Sequence, residues 1–133
     1  MATFKRFEDI GAWVKARELA KKIYELCQDG PIKRDFELVS QMRKSSGSVM
    51  DNIAEGFGRG GNNEFIQFLA ISNGSLSELK SQLYRTKDVK YINEATFNDL
   101  YQKSDEITKM INGLMEYLKK TDIRGTKFKN RTN

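Results

Sequence analysis

Histidine is absent from this chain, and cysteine, tryptophan and proline occur once each. Without histidine there is no imidazole general base, no Ser-His-Asp triad and no Glu-x-x-His pattern for a di-iron bundle site. Cys27 alone closes no internal disulfide and, lacking a second cysteine or a histidine, fits none of the usual zinc sites; a core thiol is expected. A single proline, Pro31, in 133 residues suits long helices broken at few places. No apolar run approaches the roughly 18 residues that span a bilayer, and the first residues lack the basic, apolar and small-residue progression of a secretory signal. A cytoplasmic protein with no membrane partner is therefore expected. Its length buries one core, which implies one domain.

The formal charge is +5, with 31% of residues charged. Its placement matters more than its total. Residues 1–121 carry 19 basic and 17 acidic side chains, whereas residues 122–133 set Arg124, Lys127, Lys129 and Arg131 against Asp122. Most of the excess is thus a basic C-terminal tail, read as a solubilising end or as a phosphate-binding arm.

Apolar residues recur every three or four positions in four segments, the stripe that lets a helix bury one face. Trp13, Ala16, Ala20, Ile23 and Cys27 form the first; Val39, Met42, Ser46, Val49 and Ile53 the second. The third is Phe65, Leu69, Ser72, Leu76, Leu79 and Leu83, and the fourth Phe97, Leu100, Ser104, Ile107, Ile111, Leu114 and Leu118. Short connections make neighbours antiparallel. The fold class is therefore all-α, an antiparallel up-down-up-down four-helix bundle over residues 1–121, with helices at about 9–28, 35–57, 62–87 and 94–120. In an antiparallel hairpin, facing residues have position numbers of nearly constant sum. Val39–Leu79, Met42–Leu76, Ser46–Ser72, Val49–Leu69 and Ile53–Phe65 share one sum, which puts the fold line between the second and third helices at Arg59. Leu69 and Ile111 should both face inward.

Gly56, Gly58 and Gly61 match the G-x-G-x-x-G of a dinucleotide site, but a helix rather than a strand precedes them. The expectation is that Gly56 and Gly58 end the second helix with positive φ and that Asn62 or Asn63 caps the third. Asp51 and Glu55, one turn apart, lack the partners of a metal site. Lys44 beside Ser45 is no serine-lysine dyad, because neighbours in a helix point apart. No enzyme activity, metal or cofactor is expected.

The stretch "LVSQMRKSSGSVMDNIAEGFGR" through "FLAISNGSLSELKSQL", flanked by "FEDIGAWVKARELAKKIYEL" and "INGLMEYLKK", resembles the 23S rRNA intervening-sequence proteins, four-helix bundles named for genes inside ribosomal RNA genes. The likeness runs over about residues 7–120. This family is similar to the accessory protein of diversity-generating retroelements, a basic bundle that forms a five-fold ring and works with reverse transcriptase and RNA. Met50 stands where relatives usually carry proline, and Ser45 and Ser46 where they often carry alanines, which implies a straighter second helix here.

The resemblance implies a homo-oligomer, most simply a pentamer. A second stripe on the second helix, Gly47, Met50, Ala54 and Phe57, together with Ile66, Ala70 and Gly74 on the third, offers an interface, since mid-helix glycine costs about 1 kcal/mol relative to alanine. The alternative is that these glycines ease packing within one subunit. Arg43, Lys44, Arg59, Lys80, Arg85 and Lys87, with tail residues Arg124, Lys127, Lys129 and Arg131, are the candidate phosphate contacts of an RNA- or DNA-binding scaffold. Lys5, Arg6, Arg59, Lys119, Lys120 and Arg124 are a further grouping at one end of the bundle. The competing reading is a protein-interaction scaffold with no direct nucleic-acid role.

Overall fold

The computed structural model describes residues 4–122, among which all regular structure is helical. The helices are α1 (Gly11–Leu26), α2 (Phe36–Gly58), α3 (Asn62–Asp88) and α4 (Glu94–Asp122). Two 3₁₀ turns, Phe7–Asp9 and Pro31–Arg34, precede α1 and α2. Each helix packs on two neighbours, α1 on α2, α2 on α3, α3 on α4 and α4 back on α1, so the bundle is a closed square. Tail residues Arg124, Lys127, Lys129 and Arg131 lie outside the described residues.

Local chemistry sets the helix ends. Asp35 caps α2 by accepting from the Leu38 N–H at 3.2 Å, and its other carboxylate oxygen accepts from the Tyr91 hydroxyl at 3.1 Å. One side chain thereby starts α2 and ties the α3–α4 connection to it. That carboxylate also raises the Tyr91 pKa, first through the hydrogen bond, then through desolvation and charge. Asn93 caps α4 through the Thr96 N–H at 2.8 Å.

The stripes supply the core: Met42, Val49, Ile53, Leu69, Leu76, Leu79 and Ile111 are fully buried. Three details differ from the sequence reading. In α1, Leu19 is buried and Ala20 only half so; at the start of α2, Leu38 is buried and Val39 half-buried. The buried face of α2, set by Met42, Ser45, Val49 and Ile53, has Leu38 nearer its centre than Val39, so the leucine turns inward. Gly56 and Gly58 are helical; the positive φ of the α2–α3 connection belongs to Gly60, at 85°. The residue before α3 is Gly61, which gives no side-chain cap, while Asn62 is buried and donates from Nδ2 to the Leu118 carbonyl at 2.8 Å.

The α2–α3 register is also shifted. Ser72 Oγ donates to the Val49 carbonyl at 2.9 Å, Ser75 Oγ to Ser48 Oγ at 2.8 Å and Ser45 Oγ to Glu78 Oε1 at 3.0 Å. Val49 thus lies beside Ser72 rather than Leu69, and the fold line falls at Gly60–Gly61, not Arg59. The cause is that α2 runs on through Gly58 to a cap at Arg59, so the reversal begins later.

Glycine at 56 is required by this approach. A Cβ there would lie 2.7 Å from Phe68 Cβ and 3.0 Å from Phe65 Cδ1, whereas nothing lies within 4 Å of a Cβ at Gly47, Gly74 or Gly113. Close packing inside the subunit therefore does not account for those three glycines. Gly56→Ala is expected to lower stability by about 1–3 kcal/mol through overpacking, and Gly74→Ala to raise that of the unassociated chain by about 0.5–1 kcal/mol through helix propensity. Chemical denaturation of both variants at matched concentration checks the opposite signs.

Candidate nucleic-acid interface

A helix presents positions i, i+4 and i+7 as one row, so Arg17, Lys21 and Tyr24 share a flank of α1 with Trp13. Contacts identify that flank as the one beside α2: the Arg43 guanidinium of α2 lies over the Tyr24 ring, 4.7 Å from its centroid. About two turns earlier on α1, Arg17 lies 5.7 Å over Trp13. The acidic residues of α1 turn the other way, since Glu18 and Glu25 line the groove between α1 and α4. α1 therefore sets Arg17 and its aromatic rings toward α2, while Glu18 and Glu25 share the α4 side with Lys15 and Lys22.

No carboxylate within the described residues lies within 4 Å of Arg17, Lys21, Arg43 or Lys44; the ion pairs sit elsewhere. A guanidinium held face-on by an aromatic ring keeps its in-plane N–H donors directed outward, which suits a phosphate oxygen. Tyr24 is 45% exposed beside them, so part of its ring is open to a stacking base.

The other sequence-derived candidates are dispersed. Arg59 is engaged at the α2–α3 turn, 3.0 Å from Glu55 Oε2 and 3.8 Å from Glu64 Oε2, with Phe68 beneath it. Lys80 pairs with Asp105 at 2.9 Å on the α3–α4 seam, and Lys87 with Glu94 at 3.1 Å at the far end. Arg85 donates to Gln41 Oε1 at 2.8 Å. In the end grouping, Arg6 pairs with Asp9 and Lys119 with Glu116. Of the six body residues singled out from sequence, only Arg43 is placed on the α1–α2 face by a contact; Lys44, the next residue, points about 100° away around α2. Arg17, Lys21 and Tyr24 join Arg43, and their i, i+4, i+7 spacing was the available signal.

The proposed interface residues divide in the same way. Gly47, Met50 and Ala54 continue the Arg43 row toward α1, whereas Ile66 and Ala70 lead to Asn73, which bonds Asn112 of α4 at 2.9 Å. The two stripes lie on opposite edges of the α2–α3 hairpin. Met50, Ala54, Phe57 and Ile66 are half-buried against the bundle's own core, Gly47 is half-buried, and Ala70 and Gly74 are exposed.

Nothing in the described residues assembles a catalytic or metal constellation. Cys27 is buried, and burial raises its thiol pKa although Arg43 opposes the shift. No three His, Cys, Asp or Glu side chains gather to hold a metal among the described residues, and none of the described helices is long and apolar enough to cross a membrane.

Comparison with known proteins adds two findings. The family model described as 23S rRNA-intervening sequence protein matches residues 8–113. The chain is similar to a crystal structure from Bacteroides thetaiotaomicron, described as a protein of unknown function from the S23 ribosomal protein family. That likeness has a TM-score of 0.72 at 22% identity, covering 78% of this chain and 97% of the other. No curated protein matches.

The Lys80–Asp105 pair gives a pH-dependent handle on the α3–α4 seam. The hydrogen bond and then the charge of Lys80 hold the Asp105 carboxyl below the ordinary carboxylate range, with Lys109 adding to both. A lowered folded pKa means that its stabilising effect is present above the unfolded value and is lost as pH falls through the folded one. Carboxyl NMR titration is expected to show an Asp105 midpoint below that of an ordinary aspartate, rising toward it in Lys80→Met. An unchanged midpoint in that variant contradicts the assignment.

Proposed function

The chain belongs to the 23S rRNA-intervening sequence protein family, and from that premise we propose a non-catalytic, self-associating four-helix bundle that binds nucleic acid through phosphate contacts. The observation that carries this reading is the α1–α2 face, where Arg17 and Arg43 lie over aromatic rings and, among the described residues, no carboxylate forms an ion pair with Arg17, Lys21 or Arg43. A phosphate can engage these cations without displacing an ion pair. Tyr24 supplies the stacking surface that single strands use regardless of sequence. Family and neighbour names both refer to ribosomal RNA or a ribosomal protein family, which is compatible with an RNA partner.

Charge on the described body is close to balanced, so each copy binds weakly and without sequence preference. Repetition of the face around a homo-oligomer multiplies the contacts. A pentameric ring is the assembly implied by the likeness to the accessory protein of diversity-generating retroelements. Gly47, Gly74 and Gly113, which no contact within the subunit explains, support close approach by another chain. The tail residues Arg124, Lys127, Lys129 and Arg131 add charge that draws in the same polyanion.

Electrophoretic shift with single-stranded RNA and duplex DNA at two salt concentrations tests the binding. The wild-type chain is expected to shift both at low salt. The triple variant Arg17→Glu, Lys21→Glu, Arg43→Glu should weaken binding at least tenfold and flatten its salt dependence, each lost phosphate contact removing about 0.7–0.9 from the logarithmic slope. Absence of any shift at low salt overturns the nucleic-acid reading and leaves the protein-interaction scaffold in its place. Light scattering at micromolar concentration tests assembly: five times the 15.3 kDa chain mass is expected, and a single-chain mass refutes it.

A further inference from the structure

Phe36, the first residue of α2, is 80% exposed, the most of any large apolar side chain described. Lys33 and Arg34 of the preceding 3₁₀ turn stand beside it, exposed and with no carboxylate within 4 Å among the described residues. Asp35, between them in sequence, is turned onto Leu38 and Tyr91 and does not screen them. The start of α2 is therefore an aromatic knob with two free cations on one side and Glu37 on the other.

On the far side of α1 lies an open, shallow surface of opposite charge. Where α1 ends and α4 begins, the two helices part around a groove of about 690 Å³. Leu26, Ala95 and Leu100 give it apolar walls, and the carboxylates of Glu25, Asp29 and Asp99 outnumber the single lysine, Lys22. Asp99 is engaged by Lys103, and Glu25 and Asp29 have no ion-pair partner among the described residues. The groove is wide enough for an aromatic ring and has the charge opposite to that of the knob.

We propose that Phe36 of one copy seats in the α1–α4 groove of a second copy of this chain, with Lys33 and Arg34 facing Glu25 and Asp29. This rests on the self-association proposed above and names its junction. Phe36 cannot fill its own groove, because α1 packs between that groove and α2. Knob and groove are different surfaces, so the contact is head-to-tail. Both lie at the same end of the bundle, at the level of the α1–α2 and α3–α4 connections. Copies joined in this way with parallel axes are related by rotation with little shift along them, which lets the contact close into a ring. Arg43, two turns along α2 from Phe36, stays clear of the junction.

Light scattering on full-length variants tests the junction, with circular dichroism to show that each is folded. Phe36→Asp, at an exposed site, and the double variant Glu25→Lys, Asp29→Lys are each expected to run at the single-chain mass. Mixed one to one, they should form a species of two chains and no larger, because the intact groove of the first accepts the intact Phe36 of the second and only that junction survives. A folded Phe36→Asp chain that keeps the wild-type multimer mass overturns the junction alone, as does a mixture that remains at the single-chain mass. A wild-type chain that is itself monomeric overturns the self-association reading and the junction with it.

Discussion

The close approach of α2 and α3 is the constraint on which the remaining structure depends. Gly56 lets Phe65 and Phe68 press against the α2 backbone, and Ser72 bonds directly to the Val49 carbonyl, so the hairpin has one rotational setting. Ser45 and Ser48 of α2, bonded to Glu78 and Ser75 of α3, continue that contact as a polar edge facing α3. With this edge committed, the opposite edge of α2, carrying Arg43, must face α1. The placement of the candidate nucleic-acid face is thus a consequence of how two neighbouring helices pack.

Charge in this chain is organised by neighbour as much as by number. The α3–α4 seam and the α2–α3 turn hold their cations in ion pairs, with Asp105, Glu94, Glu55 and Glu64 as partners. Such exposed pairs contribute little to stability, about 0–1 kcal/mol each, but they remove cations from the pool available to a polyanion. Around α1, Arg17 faces the α2 side, whereas the α4 side mixes Glu18 and Glu25 with Lys15 and Lys22. A chain with modest net charge can thereby leave one face with cations open to phosphate.

Much of the fold was legible in the sequence because apolar period and turn residues report directly on which face of a helix is buried. The residues that misled did so for local reasons. Ala20 and Val39 satisfy the stripe as well as Leu19 and Leu38 do, and only the packing of each helix against its neighbours decides between them. Gly56 looked like a chain reversal because glycine favours positive φ, whereas its role is the absence of a side chain against Phe68; Gly60 makes the reversal. The site was less legible. A list of basic residues does not show which have carboxylate partners, so Arg59, Lys80 and Lys87 ranked beside Arg43 until their ion pairs were seen. Arg17 and Lys21 lay within an evidently amphipathic helix and drew no notice, although their spacing to Tyr24 already placed all three on one flank.

The central claim is that the α1–α2 face, and not the basic residues as a whole, meets the nucleic acid. Photo-crosslinking the full-length protein to a single-stranded RNA carrying 4-thiouridine, followed by mass-spectrometric mapping, addresses it most directly. Crosslinks concentrated on the α1 peptide that contains Tyr24 and on the α2 segment around Arg43 are the predicted result. Crosslinks that spare both and fall on α3, α4 or residues 123–133 would contradict it.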